Sequence, residues 1–165
     1  MMKKLGRACA TAFVLLSITP VVRSVDAQSV SLHLRSVRTA DSVHIGKSQQ
    51  PTLVAVFATW CRSCKDEVAT FNSLSRDLSA KGMRFVALNA DEIGDERLIG
   101  WLDRYKVAYP VVRDTSGGAF RALGVVGVPE MYLTDSAGRV VWKHRGPIEG
   151  RLAQLRRAIE LVTPH

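Results

Sequence analysis

Two cysteines stand two residues apart in the stretch Trp60-Cys61-Arg62-Ser63-Cys64, just after an apolar run and just before a charged one. Three chemistries use such a pair: a structural staple, half of a metal site, or a reagent that exchanges disulfides. A staple closing so short a loop gains about 2 kcal/mol on the chain-entropy estimate, and a chain of 165 residues can build a core without that help. A structural zinc site wants four ligands, commonly a second pair at defined spacing. The histidines, His33, His44, His144 and His165, fall at no paired spacing. The reagent reading draws on more of the local sequence. Cys61 falls where an apolar strand gives way to a helix, and a helix N-terminus offers unsatisfied N–H groups and partial positive charge. Arg62 and Lys65 add to it. A thiol of ordinary acidity is about 3% ionised at pH 7, and one with a pKa near 7 about half, more than a tenfold gain in the attacking thiolate. Cys64 lies one turn on, within bonding reach of Cys61. Cys61 is then the attacking sulfur, and Cys64 the one that resolves the mixed disulfide.

The elements that must hold this pair are legible from hydrophobic periodicity. The run Thr52–Thr59 is almost wholly apolar, as in a strand covered on both faces. Val68, Phe71, Leu74 and Leu78 recur at helical spacing after it, up to the stop at Lys81-Gly82. A second buried strand is predicted over 84–90 and a second helix over 95–107, ending before Pro110. A short strand follows near Val111-Val112, and a short helix runs from about Ala119 to Leu123. A hairpin comes next, with strands 131–134 and 139–144 around Asp135-Ser136-Ala137-Gly138, and the last helix spans 149–162. Upstream, residues 30–37 and 41–45 alternate as one-sided strands, and 45–51 reads as a turn. Interleaved strands and helices predict an α/β sheet with helices on both faces.

The first 27 residues stand apart. A basic start (Lys3, Lys4, Arg7) precedes an apolar run of about eleven residues, and Val25 and Ala27 occupy the −3 and −1 positions of a cut before Gln28. The run is short of the roughly 20 residues of a membrane span. Residues 1–27 are read as a signal peptide, or an N-terminal membrane anchor if retained, and 28–165 as a single domain, exported and periplasmic. Cys9 precedes the apolar run and leaves with the leader. Cleavage also removes Lys3, Lys4, Arg7, Arg23 and Asp26, leaving +5 of the formal +8. The remaining basic residues are scattered and not interleaved with aromatics, which argues against nucleic acid as a partner.

Cys61–Cys64 in "WCRSC", followed about 65 residues later by "GVPEMYLTDSAGRVVWKHRGPIE", resembles the thioredoxin superfamily, and within it the exported TlpA/ResA/CcmG (DsbE) branch. The likeness runs over about residues 43 to 162. It implies a thioredoxin-like fold, a central mixed β-sheet flanked by helices, here with an N-terminal β extension. It implies a cis-proline at Pro129 facing the dithiol, with the Val128 backbone free to pair with an extended client segment. Trp60 would shield one side of the site, and Arg62 and Ser63 would shape it between the cysteines. Glu67, six residues after Cys61, would relay a proton to or from Cys64. Glu130 would add negative charge near the thiols or contact the partner.

Several positions depart from relatives of similar fold. No proline lies between the cysteines. Ala69 stands where many members have a helix proline, so a straighter helix is predicted. Ala55 replaces thioredoxin's buried aspartate. Ala58 stands where a peroxide-reducing enzyme would have threonine, and the two-residue spacing differs from the three of copper-delivery proteins. The implied function is an exported thiol–disulfide oxidoreductase that reduces oxidised client proteins such as apocytochrome c. It would draw electrons from a membrane thiol-transfer protein and need no cofactor or metal. A general periplasmic disulfide oxidase or isomerase, and a non-catalytic client-binding adaptor of the same fold, are the alternatives.

Overall fold

The computed structural model describes residues 29–46 and 50–163. The leader read over 1–27, with Cys9, lies outside the described residues, as do positions 47–49 of the turn read at 45–51. Strands β1 (Leu32–Ser36) and β2 (Ser42–Ile45) form a hairpin, and β3 (Thr52–Phe57) leads into α1 (Arg62–Asp66) and α2 (Val68–Ala80). Then come β4 (Arg84–Asn89), α3 (Asp95–Arg104), β5 (Val111–Arg113), α4 (Gly118–Leu123), β6 (Glu130–Thr134) and β7 (Val140–Arg145). A 3₁₀ turn at Glu149–Arg151 opens α5 (Leu152–Val162).

These strands make one seven-stranded mixed sheet in the order β2-β1-β5-β4-β3-β6-β7. β3, β4 and β5 are parallel, while β6 runs antiparallel to β3 and β7 to β6. The N-terminal hairpin joins through β1, antiparallel to β5 at Arg35↔Arg113 and Ser36↔Val112. This is the thioredoxin-like mixed sheet with its N-terminal β extension.

The uniformly apolar β3 is explained by the two faces it serves. Leu53, Ala55 and Phe57 point into a core with Phe71, Leu74 and Leu78 of α2, Leu98 and Leu102 of α3, and Leu155 and Ile159 of α5. Val54 and Val56 point the other way, toward Leu32 and Leu34 of β1, Ala119 and Leu123 of α4, and Tyr132. Each fully buried Leu, Val or Phe is worth roughly 1.5–3 kcal/mol over leaving it in water, so a polar residue in β3 would be costly on either face. The hairpin crosses the β6–β7 turn closely. A Cβ on Gly138 (φ +82) would meet the Val30 carbonyl oxygen at 2.5 Å, and one on Gly46 (φ +116) at 2.0 Å.

Two helices differ from their sequence reading. The helix predicted over 95–107 stops at Arg104, and Lys106 takes φ 55. The Asn72 side chain, reaching from α2, donates to the Lys106 carbonyl at 2.9 Å and accepts from the Ala108 N–H at 2.8 Å, which turns the chain. The helix that carries Ala69, read as straighter than one with proline there, is interrupted one residue before its second segment. α1 and α2 are separated at Glu67, whose ψ of −6° departs from the helical value near −42°. The interruption occurs without a proline, at a residue whose buried carboxylate is tied to the Ile148 N–H across the domain.

Candidate active site

The end of β3 delivers the cysteines. The Cys61 N–H donates to the Ala58 carbonyl at 3.1 Å, closing a turn around Thr59 and Trp60, and Cys61 caps α1. Its sulfur accepts from the Cys64 N–H at 3.1 Å, and the Ser63 hydroxyl lies 3.5 Å away. Cys61 and Cys64 are joined by a disulfide, with S–S 2.08 Å and Cα–Cα 5.3 Å. Cys64 is 2% exposed and Cys61 6%. When the bond is reduced, the donors already aimed at Cys61 Sγ are the groups that favour a thiolate there. Arg62 points to solvent. Lys65 has its ammonium over the Tyr105 ring, 5.7 Å from the centroid.

The Val128–Pro129 peptide bond is cis. Pro129 is buried, and Val128 packs against both cores. Trp60 is 74% exposed, so its indole projects into solvent from the turn beside Cys61. Val126, in the loop before Pro129, is 69% exposed.

Glu67 and Glu130 occupy different environments. Glu67 is buried on the dithiol side, three residues past Cys64. One of its oxygens accepts from the Ile148 N–H, and the other is buried without a hydrogen-bond partner. Burial pushes its pKa up, the Ile148 hydrogen bond pulls it down, and Asp66 pushes it up further. It lines a cavity of about 490 Å³ with Ser63, Asp66, Thr70, Pro147, Ile148, Glu149 and Leu152. Tyr109 is pushed well above its ordinary pKa by burial and by the nearby Glu67 charge.

Glu130 does not supply the charge beside the thiols that the sequence reading gave it. It shares the face of β6 with Tyr132, on the side of Val54 and Val56, opposite the core that holds the cysteines. Its carboxylate meets Arg145 Nε at 2.7 Å, accepts from the Tyr132 hydroxyl, and receives the Val126 N–H at 3.4 Å. Adjacent strand residues point to opposite faces, so following the proline in sequence turns this side chain away from the dithiol.

One cluster escaped the sequence reading. Asp91, 9% exposed, accepts from the Thr59 N–H at 2.8 Å and from Asn89 Nδ2 at 2.8 Å. Its only signal was the polar pair Asn89 and Asp91 at the end of a buried strand. The histidines also differ from the sequence reading. Pairing of β1 with β2 sets His33 opposite His44, ring centroids 3.7 Å apart. That pair is still two ligands short of a structural zinc site.

The AhpC/TSA family model matches residues 25–143, most of the chain. This protein belongs to the AhpC/TSA family. Within this thioredoxin-like family, it is 31% identical over 108 residues to the thiol-disulfide oxidoreductase ResA of Bacillus thuringiensis subsp. konkukian, covering 66% of this chain and 61% of ResA. It is 34% identical over 114 residues to the thiol:disulfide interchange protein DsbE of Escherichia coli K12, covering 68% of this chain and 57% of DsbE. The chain thus spans about three fifths of the length of these relatives. Among solved structures, a Chlorobium tepidum protein described as a thiol:disulfide interchange protein DsbE superposes with a TM-score of 0.73 at 23% identity, covering 83% of this chain and 96% of that one. StoA from Bacillus subtilis gives 0.67 at 18% identity, covering 80% and 98%. Those two likenesses speak for the fold. Among the described residues no helix is long and apolar enough to cross a membrane.

Proposed function

We propose that this family member is a thiol–disulfide oxidoreductase that reduces disulfides in client proteins. The observation that carries the reading is the Cys61–Cys64 pair at the head of α1, with the Cys64 N–H and the Ser63 hydroxyl directed at Cys61 Sγ. In the reduced protein, the Cys61 thiolate attacks a client disulfide. A Cys61–client S–S bond forms, and the client's other sulfur leaves as a thiolate. The Cys64 thiolate then attacks Cys61 Sγ, the Cys61–Cys64 disulfide closes, and the second client sulfur is released. Two electrons pass to the client, and a thiol-transfer protein restores the dithiol.

Glu67 supplies or accepts the Cys64 proton, directly or through water in the adjoining cavity, a role that suits a buried carboxyl with raised pKa. The Val128 backbone at the cis peptide pairs with the extended client, and exposed Trp60 and Val126 give it apolar contact. Residues 1–27 direct export, by a cleaved signal or a retained anchor. The periplasm is then the compartment, a membrane thiol-transfer protein the electron donor, and apocytochrome c a fitting client. The names DsbE and CycY among the relatives support that direction.

Two measurements test the proposal. A Cys64→Ser variant traps clients as mixed disulfides through Cys61; failure to trap any would favour a binding adaptor. The reduction potential fixes the direction of transfer. A strongly oxidising value of about −120 mV would replace the reductant with an oxidase.

A further inference from the structure

The redox turn is gripped from outside its own segment. The Cys61 N–H···Ala58 carbonyl bond closes a turn whose two central residues are Thr59 and Trp60. The Thr59 N–H points out of that turn and is taken by Asp91 Oδ2 at 2.8 Å, thirty-two residues away in sequence. Asp91 is itself fixed. Asn89 Nδ2 donates to the same oxygen at 2.8 Å, and the Asp91 N–H returns a bond to Asn89 Oδ1 at 3.3 Å. Arg113 reaches the carbonyls of Asp91, at 3.4 Å, and Ile93, and its Nε lies 3.1 Å from Asp95. Directly below, the Ala90 N–H donates to the Phe57 carbonyl at 2.8 Å, so β3 and β4 stay paired up to the turn. The other Asp91 oxygen is buried and unpartnered. A buried carboxylate held in this way costs free energy unless its bonds are all made, and the bond it makes toward the redox segment is to Thr59.

We propose that Asp91 is a positioning residue for the redox pair. It fixes the Thr59–Trp60 turn and so holds Cys61 as the cap of α1, where the Cys64 N–H and the Ser63 hydroxyl meet its sulfur. This rests on the oxidoreductase reading above. Asp91 touches neither sulfur. It acts through the turn, keeping the thiolate's donors preorganised. Loosening the turn weakens thiolate stabilisation, which slows attack by Cys61 and favours the disulfide over the dithiol.

The test compares wild-type protein with Asp91→Ala and Asp91→Asn in three measurements: the Cys61 alkylation rate at pH 7, the equilibrium with glutathione, and amide hydrogen exchange at Thr59. Asp91→Ala is expected to slow alkylation about three- to tenfold, to shift the glutathione equilibrium toward the disulfide by a similar factor, and to remove the protection of the Thr59 amide. Asp91→Asn keeps an acceptor oxygen and is expected to restore alkylation and the equilibrium to within about twofold of wild type. Asn89→Ala, a milder loosening of the same carboxylate, is expected to shift both in the same direction by less, and it carries the test if Asp91→Ala does not fold. An Asp91→Ala protein that melts earlier but keeps wild-type alkylation and equilibrium overturns the positioning role. So does an unprotected Thr59 amide in the wild type. Wild-type Cys61 no more reactive than a peptide thiol would instead overturn the oxidoreductase reading, and the positioning role with it.

Discussion

Glu67 and Glu130 are the same side chain, both buried, within one small domain, yet the sheet sorts them into opposite situations. Glu67 lies on the dithiol side with one hydrogen bond from a backbone N–H, an unpartnered oxygen, and no salt bridge among the described residues. Glu130, on the other face, is saturated: Arg145, the Tyr132 hydroxyl and the Val126 N–H share its two oxygens. Burial without a countercharge favours the protonated acid. Burial with one makes a clamp, and this clamp fastens the loop before cis Pro129 to the sheet. Burial of a carboxylate is therefore not by itself evidence for proton transfer. The partners of its oxygens decide whether it holds a proton or holds a loop.

The difference can be broken most strongly at Glu130. Glu130→Ala leaves the buried Tyr132 hydroxyl without its acceptor and Arg145 without its partner. It is expected to cost about 2–3 kcal/mol in denaturant unfolding, and a loss below about 0.5 kcal/mol would mean the clamp does not hold the loop. Arg145→Gln should make Glu130 resemble Glu67, a buried carboxylate short of countercharge. Because the Arg145 side chain is 69% exposed, the screened loss at pH 7 is about 1 kcal/mol, and it should shrink as salt is raised. A loss that stays constant in high salt would assign it to packing instead.

The smallest expected change has the opposite sign. The folded protein holds the Glu67 proton more tightly than the unfolded chain does, because its pKa is raised in the fold. That stabilisation is complete below the unfolded value, near 4.5, and is lost as pH rises through the folded one. Glu67→Gln, which keeps an acceptor for the Ile148 N–H, should therefore be more stable than wild type at pH 7 and equal to it below about pH 4.5. Parallel stability curves across that range would remove Glu67 as a proton-holding group.

The fold was readable because its signals are local. Apolar runs marked β3 and β4, helical spacing marked α2 and α5, and the Asp135–Gly138 stretch marked the hairpin turn. The helix ends were less so. Arg104 ends α3 because Asn72, more than thirty residues back, captures the backbone beyond it, and no window around residue 104 contains that information. At the Glu67 interruption, too, the residue is bonded to a distant segment, at Ile148. At the site, the two cysteines stood out by type and spacing, and Pro129 and Glu67 only through the family resemblance. Asp91 did not, because one aspartate after a strand reads as an ordinary solvated loop residue until the neighbouring strand brings Thr59 to it.

By itself the sequence determined the cysteine pair and its setting: two sulfurs one helical turn apart at the end of a strand buried on both faces. These follow from residue type and period, which act over a few residues. The tertiary structure decided which groups serve those thiols. It turned Glu130 to the far face, left Glu67 without a countercharge among the described residues, set His33 against His44, and placed Asp91 against the Thr59–Trp60 turn. Each is a contact between segments far apart in the chain, set by strand order, register and side-chain direction. Such contacts exist only once the sheet has formed.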